Sequence, residues 1–182
     1  MKGMSIIMLI SSNPTAIQSQ TWIIDTLLAL MSIKNYNEIT VSEICRKAKL
    51  DRRTFYRNFN SKTDVLDHYI TTLGKEYLNA HQQIDVTNAL ATAEVFFRFW
   101  QSHTSFITNI QKSGLSNFVF KQFTAFTKEN IEIFTDDKLP QLVNKYVYSY
   151  RIGGFWNIML TWITDGCKLS PNQMATIFQE YC

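Results

Sequence analysis

Glycine and proline are scarce in this chain, six and three among 182 residues. So few turn-formers argue against turn-dense β structure and fit long helices. Cysteine is as rare. Cys45, Cys167 and Cys182 are odd in number and lack metal-ligand spacing, so neither a disulfide framework nor a zinc site is expected, and reduced thiols fit a cytoplasmic protein. No long apolar run occurs near the start. Residues 6–10 are too short to span a bilayer, and the single preceding lysine is followed by no convincing cleavage site. They are expected to be an N-terminal extension, and no membrane partner is expected. Catalytic signatures are missing too. His68, His81 and His103 are scattered, and the nearby Asp64, Asp67 and Glu76 form no HExxH-like spacing. Asp64 and His68 read as a solvated i,i+4 pair. There is no glycine-rich phosphate loop and no nucleophile elbow. The expectation is therefore no enzyme, no metal and no cofactor.

What is present is a foldable, unevenly charged chain. Hydrophobic residues make up 46% and charged residues 18%, enough to bury a substantial core. The net charge of +3 hides an asymmetry. Between residues 34 and 62 stand eight basic residues (Lys34, Arg46, Lys47, Lys49, Arg52, Arg53, Arg57, Lys62) against three acidic ones. That excess of five leaves the rest of the chain two negative. A basic segment on a near-neutral body is what a polyanion-binding module looks like, although a solvated basic face has the same composition.

Helix signals recur along the chain. Asn13-Pro14 predicts an N-cap and a first-turn proline, opening a helix to about residue 34 with Ile23, Ile24, Leu27, Leu28 and Met31 as its apolar stripe. A polar connection is expected over residues 35–38. Thr40 with Glu43 reads as a capping box, Asp51 as the cap of a short helix, and Ser61 with Asp64 as the start of a fourth helix toward residue 78. Three caps within about twenty residues predict short helices joined by tight turns, a helix-turn-helix layout. Further helices are expected near 88–102, 104–112, 115–134, 139–165 and 171–181, the last opened by Ser170-Pro171-Asn172-Gln173.

The segment DRRTFYRNF, residues 51–59, concentrates the chemistry. At about 100° per residue, Phe55 and Phe59 share one helix face while Arg53 and Arg57 stack one turn apart on the other side. Burying each phenylalanine contributes about 1.5–3 kcal/mol and would fix the helix as a rigid platform. Arginine's planar fork donates two parallel hydrogen bonds to phosphate or to a guanine edge. In the preceding helix Val41, Ile44, Cys45 and Ala48 fall within about a 100° core-facing arc, which makes Cys45 a small buried hydrophobe rather than a redox sensor.

The stretch ITVSEICRKAKLDRRTFYRNFNSKTDVL, residues 39–66, resembles the DNA-binding helix-turn-helix of TetR-family transcriptional regulators, and with the helix before it the resemblance covers roughly residues 14–75. It rests on Ile44 and Ala48, on Thr54-Phe55-Tyr56, and on Phe59 and Lys62. The resemblance implies that the helix at 52–58 enters the major groove of double-stranded DNA, with Arg52, Arg53, Thr54 and Arg57 as base or phosphate contacts. It also implies that Tyr56 and Lys62 meet phosphates, and that Thr40 and Ser42 face the backbone at a helix N-terminus. The family usually has glycine where this chain has Lys49. Lys49 must then either accept a positive φ at some strain or form a different turn, and it could add a phosphate contact.

The second half is aromatic-rich, with 16 of the 25 aromatic residues between 95 and 162. Residues 139–165 are apolar on almost every side, which predicts burial all round. Either the helix is an intrachain core element, or it faces its own core on one side and a second subunit on the other. Gly153-Gly154 within it costs about 1 kcal/mol per residue against alanine, which close helix approach could offset. This region more loosely resembles the C-terminal domain of TetR-family proteins, through Gly153, Gly154, Trp162, Gly166, Ser170, Pro171 and Met174. There the last two helices form a four-helix bundle across a two-fold dimer. The resemblance implies a homodimer interface here at Ile152, Trp156, Met159, Ile163, Met174 and Phe178. Phe96, Trp100, Phe118 and Phe123 belong either to a closed core or to the wall of a pocket for a small apolar or aromatic effector.

The expected fold is all-α with about nine helices. A DNA-binding domain covers 13–75, with its helix-turn-helix at about 40–59, and a regulatory and dimerisation domain covers 76–182. The expected function is that of a homodimeric repressor of a palindromic operator, released by an effector. The alternative keeps the DNA-binding module but places control with a protein partner, or makes the protein a co-activator.

Overall fold

The computed structural model describes residues 14–84, 88–130 and 139–181. Residues 6–10, the cap expected at Asn13 and the end of the helix expected to reach 134 lie outside them. Among the described residues there are nine α-helices and no strand. They are α1 (Pro14–Met31), α2 (Val41–Ala48), α3 (Arg52–Asn58), α4 (Lys62–His81), α5 (Ala89–Ser102), α6 (Thr104–Lys112), α7 (Ser116–Glu129), α8 (Gln141–Thr164) and α9 (Pro171–Tyr181). The connection expected to be merely polar after α1 is a 3-10 turn over Tyr36–Glu38, capped by the Asn35 side chain, which accepts from the Asn37 N–H at 3.0 Å. Tyr36 is buried there, so the turn has an apolar root that its polar neighbours mask in the sequence.

Two compact units divide between Leu66 and Asp67. That point lies inside α4, ahead of residue 75, because no proline interrupts the chain between Lys62 and His81.

The first unit packs α1, α2 and α3 against one another around Ile23, Leu27, Leu30, Ile39, Ile44, Phe55 and Phe59. Its caps are the predicted ones. Thr40 Oγ1 accepts from the Glu43 N–H at 3.2 Å, and Asp51 Oδ1 accepts from the Thr54 N–H at 2.6 Å. Ser61 Oγ accepts from the Asp64 N–H at 3.1 Å, while the Asp64 carboxylate takes both the Asn60 N–H and the Ser61 hydroxyl. The Glu43 carboxylate is held below the usual pKa range first by Lys34 and only more weakly by the Thr40 N–H. The pair with Lys34 ties the segment that follows α1 to the first turn of α2.

In the second unit α5 lies along α9, and α8 packs on α5 and α6. The core is aromatic. Phe155 sits 4.7 Å from Phe96 and 4.1 Å from Phe178, Phe97 meets Trp162 edge-on at 5.5 Å, and Phe123 stacks on Trp156 at 5.9 Å. The capping box that opens α9 is complete: Ser170 Oγ accepts from the Gln173 N–H, and Gln173 Oε1 accepts from the Ser170 N–H.

The residues expected to face a second subunit are placed differently. Ile152, Trp156, Met159, Ile163 and Met174 are buried within this unit, and Phe178 is half-buried against Phe155. They are the inward stripe of α8 and α9, consumed by the unit's own core. The opposite face of α8 carries Leu142, Tyr146 and Tyr150, between 62% and 68% exposed. The helix is therefore not buried all round: its apolar residues split between a filled face and an open one.

Candidate nucleic-acid interface

The interface is built from the inside outward. Phe55 is fully buried and Phe59 nearly so, with ring centroids 6.2 Å apart. Phe55 also meets the Tyr56 ring edge-on at 5.4 Å. These contacts fix the rotation of α3 about its axis. Arg52, Arg53, Tyr56 and Arg57 are left on the exposed side, with Tyr56 48% exposed. Three guanidinium groups thus stand on one short helix whose apolar root cannot turn.

The three arginines are held differently. Arg52 Nη2 donates to the Tyr56 hydroxyl at 3.4 Å and lies 5.8 Å from that ring's centroid. Arg57 Nη2 donates to Thr54 Oγ1 at 3.0 Å. The Arg53 side chain has no partner among the described residues, its backbone N–H alone being turned to Asp51. Thr54, expected among the contacts, is buried: its N–H is spent on Asp51 and its hydroxyl receives Arg57. Asp51, the one acid in the segment, caps α3. The Thr54 N–H on its carboxylate, followed by the Thr54 hydroxyl, holds its pKa below the usual range, so it stays charged at the helix N-terminus, where the dipole favours it.

Lys49 resolves the turn between α2 and α3. It adopts φ 55°, ψ 39°, the left-handed conformation that glycine takes without penalty. Leu50 N–H bonds Cys45 O at 2.9 Å and Lys49 N–H bonds Arg46 O at 3.3 Å, a Schellman closure of α2. The turn keeps the geometry of a glycine turn, at a strain on the order of 1 kcal/mol. Lys49 is exposed, as are Thr40 and Ser42 at the start of α2. Cys45 is buried, and burial pushes its thiol pKa up, which keeps it a neutral packing group.

Lys62 is placed apart from this set. Its ammonium donates to Tyr36 O at 2.6 Å, Ile39 O at 2.7 Å and, more weakly, Asn37 O at 3.4 Å, and it lies 4.3 Å from the centre of the Tyr36 ring. Burial, and then the neighbouring Lys34 charge, lower its pKa. The residue that sequence reasoning missed is Tyr36. Its only signal was an aromatic ring inside a segment that otherwise reads as a polar connection.

Of the expected pocket residues, Trp100 and Phe123 line a cavity of about 30 Å³ in the second unit, with Ile70, Leu73, Gly74, Tyr77, Phe99, Phe106, Val119 and Phe126. Phe96 packs on Phe155 and Phe97 instead, and Phe118 is half-buried outside the lining. The Phe126 ring rests on Gly74, where a Cβ would come within 2.7 Å of it. The void is about the size of one water molecule.

Residues 23–69 match the family model described as bacterial regulatory proteins, tetR family, and residues 87–182 match one described as a transcriptional regulator C-terminal region. The chain belongs to the TetR family of transcriptional regulators. The matched models are of regulators of transcription. An uncharacterized HTH-type transcriptional regulator, YxbF of Bacillus subtilis (strain 168), is 25% identical over 166 residues, covering 83% of this chain and 41% of that protein. The chain therefore spans less than half the length of the curated relative it matches. Among solved structures, a TetR transcriptional regulator from Streptococcus agalactiae 2603V aligns with a TM-score of 0.69 at 14% identity, over 90% of this chain and 93% of that one. The dihydroxyacetone kinase operon activator DhaS aligns with a TM-score of 0.59 at 19% identity, over 88% and 91%. At such identities the likeness concerns the TetR fold alone. No helix among the described residues is long and apolar enough to cross a membrane.

Proposed function

We propose that this TetR-family protein acts in the cytoplasm as a homodimer on a two-fold-symmetric duplex operator and represses transcription from it. The observation that carries the reading is the division of α3 into a buried root, Phe55 and Phe59, and an exposed crown of Arg52, Arg53, Tyr56 and Arg57. A helix that cannot rotate and presents planar donors suits the major groove. Arg53, unrestrained, reads base edges. Arg52 and Arg57, steadied by Tyr56 and Thr54, hold phosphate together with Tyr56, Thr40, Ser42 and Lys49.

The homodimer reading rests on the open face of α8. Leu142, Val143, Tyr146 and Tyr150 are exposed there, and a Cβ at Gly153 or Gly154 would meet nothing within 4 Å among the described residues. Intrachain packing thus gives no reason for two mid-helix glycines, whereas the close approach of a second α8 does. Ile177 and Tyr181 of α9 are exposed as well. A two-fold dimer would set its recognition helices about 34–36 Å apart, one turn of duplex.

For control, a small apolar or aromatic effector would enter the second unit beside Trp100 and Phe123 by displacing Phe126. The small size of the void favours a second reading, control by a protein partner, and the activator named among the fold's neighbours is compatible with positive regulation. Indole or toluene raising the thermal midpoint by several degrees would support the effector reading; no shift at millimolar concentration would favour the partner.

DNA binding through the named residues is tested by salt. With about four phosphates neutralised per subunit, log K against log[salt] for a duplex selected from a random library should have a slope near −7. A slope near zero would sink the reading.

A further inference from the structure

The least expected feature of the first unit is the direction of Lys62. A lysine ammonium has three N–H donors and no acceptor. Here the three backbone carbonyls of Tyr36, Asn37 and Ile39 converge on it, and the Tyr36 ring covers it. No donor is left for a phosphate. Tyr36 holds the same corner a second time, because its hydroxyl shares a 3.1 Å hydrogen bond with Thr63 Oγ1. One buried tyrosine thus joins the first two residues of α4 to the 3-10 turn, through its ring, its carbonyl and its hydroxyl.

The turn matters because it leads directly into α2. Ile39, whose carbonyl Lys62 binds, is buried and immediately precedes Thr40, the N-cap of α2. The backbone entering that cap is therefore fixed by a charge that α4 supplies. The Lys34–Glu43 pair holds the first turn of α2 from another side. Thr40 and Ser42, the exposed hydroxyls at that end of α2, inherit their positions from these bonds.

We infer that Lys62 is a positioning residue for DNA binding: its ammonium latches the start of α4 to the turn before α2, setting the pose of the α2 N-terminus without contacting phosphate. The inference rests on the DNA-binding reading for its consequence but not for its geometry, which belongs to the free protein.

Two substitutions and one spectrum test it. Lys62→Arg keeps the charge and binds phosphate at least as well as lysine, but its planar fork cannot direct three donors onto converging carbonyls. Lys62→Met keeps the stem and removes the charge. Both variants should bind the selected duplex about tenfold more weakly, by the same factor at every salt concentration, because fewer molecules hold the binding-competent pose. Arg57→Ala, by contrast, should lower the magnitude of the salt slope by about 1.8, one phosphate contact being lost in each subunit. Wild-type affinity in either Lys62 variant, or a slope about two units shallower in Lys62→Met, would overturn the latch. Should either variant fail to fold, the nitrogen-15 spectrum of the wild-type lysine ammonium groups decides. A slowly exchanging Lys62 signal in the free protein, unmoved by added duplex, is expected. A signal that appears only with duplex present would refute the inference. Failure of the wild type to bind any duplex would strike the DNA reading and leave the spectrum of the free protein as the test of the latch.

Discussion

Arg53 and Arg57 lie four residues apart on α3, yet their surroundings assign them different work. Arg57 is tethered to the Thr54 hydroxyl, whereas the Arg53 side chain has no partner among the described residues and keeps its freedom until a ligand orders it. Ordering a free fork costs rotamer entropy, and two parallel hydrogen bonds to a base edge can recover it. Arg53→Ala is therefore expected to lower affinity for the selected duplex by about 1–3 kcal/mol while leaving binding to unrelated duplexes nearly unchanged. Arg57→Ala should weaken both alike and flatten the salt slope. Competition binding with cognate and scrambled duplexes measures both, and the reverse pattern would exchange the two roles. The charge and the spacing of these arginines could be read from the sequence; what tethers each of them could not. Thr54 illustrates why. A threonine beside arginines on a recognition helix reads as a contact, but burial turns its hydroxyl toward Arg57.

At the scale of the element, α3 has only seven residues, too short to persist in water on its own. Asp51 and the two phenylalanines hold it, one at its N-terminus and the others beneath it. Asp51→Ala should lower the thermal midpoint by about 2–4 °C and weaken DNA binding, whereas Asp51→Asn, which keeps the acceptor, should restore most of both. Equal losses in the two variants would mean that charge, not capping, is what Asp51 supplies. Helix starts were the most legible feature of this sequence, because a cap is a local contract between residues three apart. Helix ends were less so. α1 stops at Met31 and α4 runs on to His81, and no local residue type dictates either point. The turn at Lys49 marks the limit of local reading. Its chemistry left two geometries open, and the packing of α2 on α3 selects the left-handed one despite its strain.

For the whole molecule, the open face of α8 makes the sharpest prediction. Tyr150→Glu places a charge where the proposed partner helix would lie, at a position 62% exposed. It should convert a dimer to a monomer in sedimentation and lower operator affinity at least about tenfold, since two half-sites would no longer be engaged together. An unchanged sedimentation coefficient would move the interface elsewhere. Acid is a second probe. Burial lowers the pKa of both His68 and His81, so each folds as the neutral form. Below the unfolded value of about 6.5 the unfolded chain binds more protons than the folded one. Stability is thus fully present above that pH and is lost as pH falls through the lowered folded values. Thermal midpoints between pH 8 and 5 should fall accordingly, and His81→Leu should flatten the curve. That variant should fold, because His81 Nε2 is buried without a hydrogen-bond partner among the described residues.

Local sequence was enough for the helical class, most helix starts, the basic segment and the two-faced α3, because caps, charge and 3.6-residue periodicity act within one or two turns. It was not enough to say which face of α8 fills the core. That helix is apolar on both sides, and only the match of Phe155, Trp156 and Trp162 to the aromatic layer from α5 and α7 decides it. Nor could it say where Lys62 points. The carbonyls that receive it lie more than twenty residues away in the chain and converge only when α4 folds back onto the turn at Tyr36. An ammonium beside a basic segment has water, phosphate or backbone to choose from, and only the folded chain brings three carbonyls and a ring close enough to win.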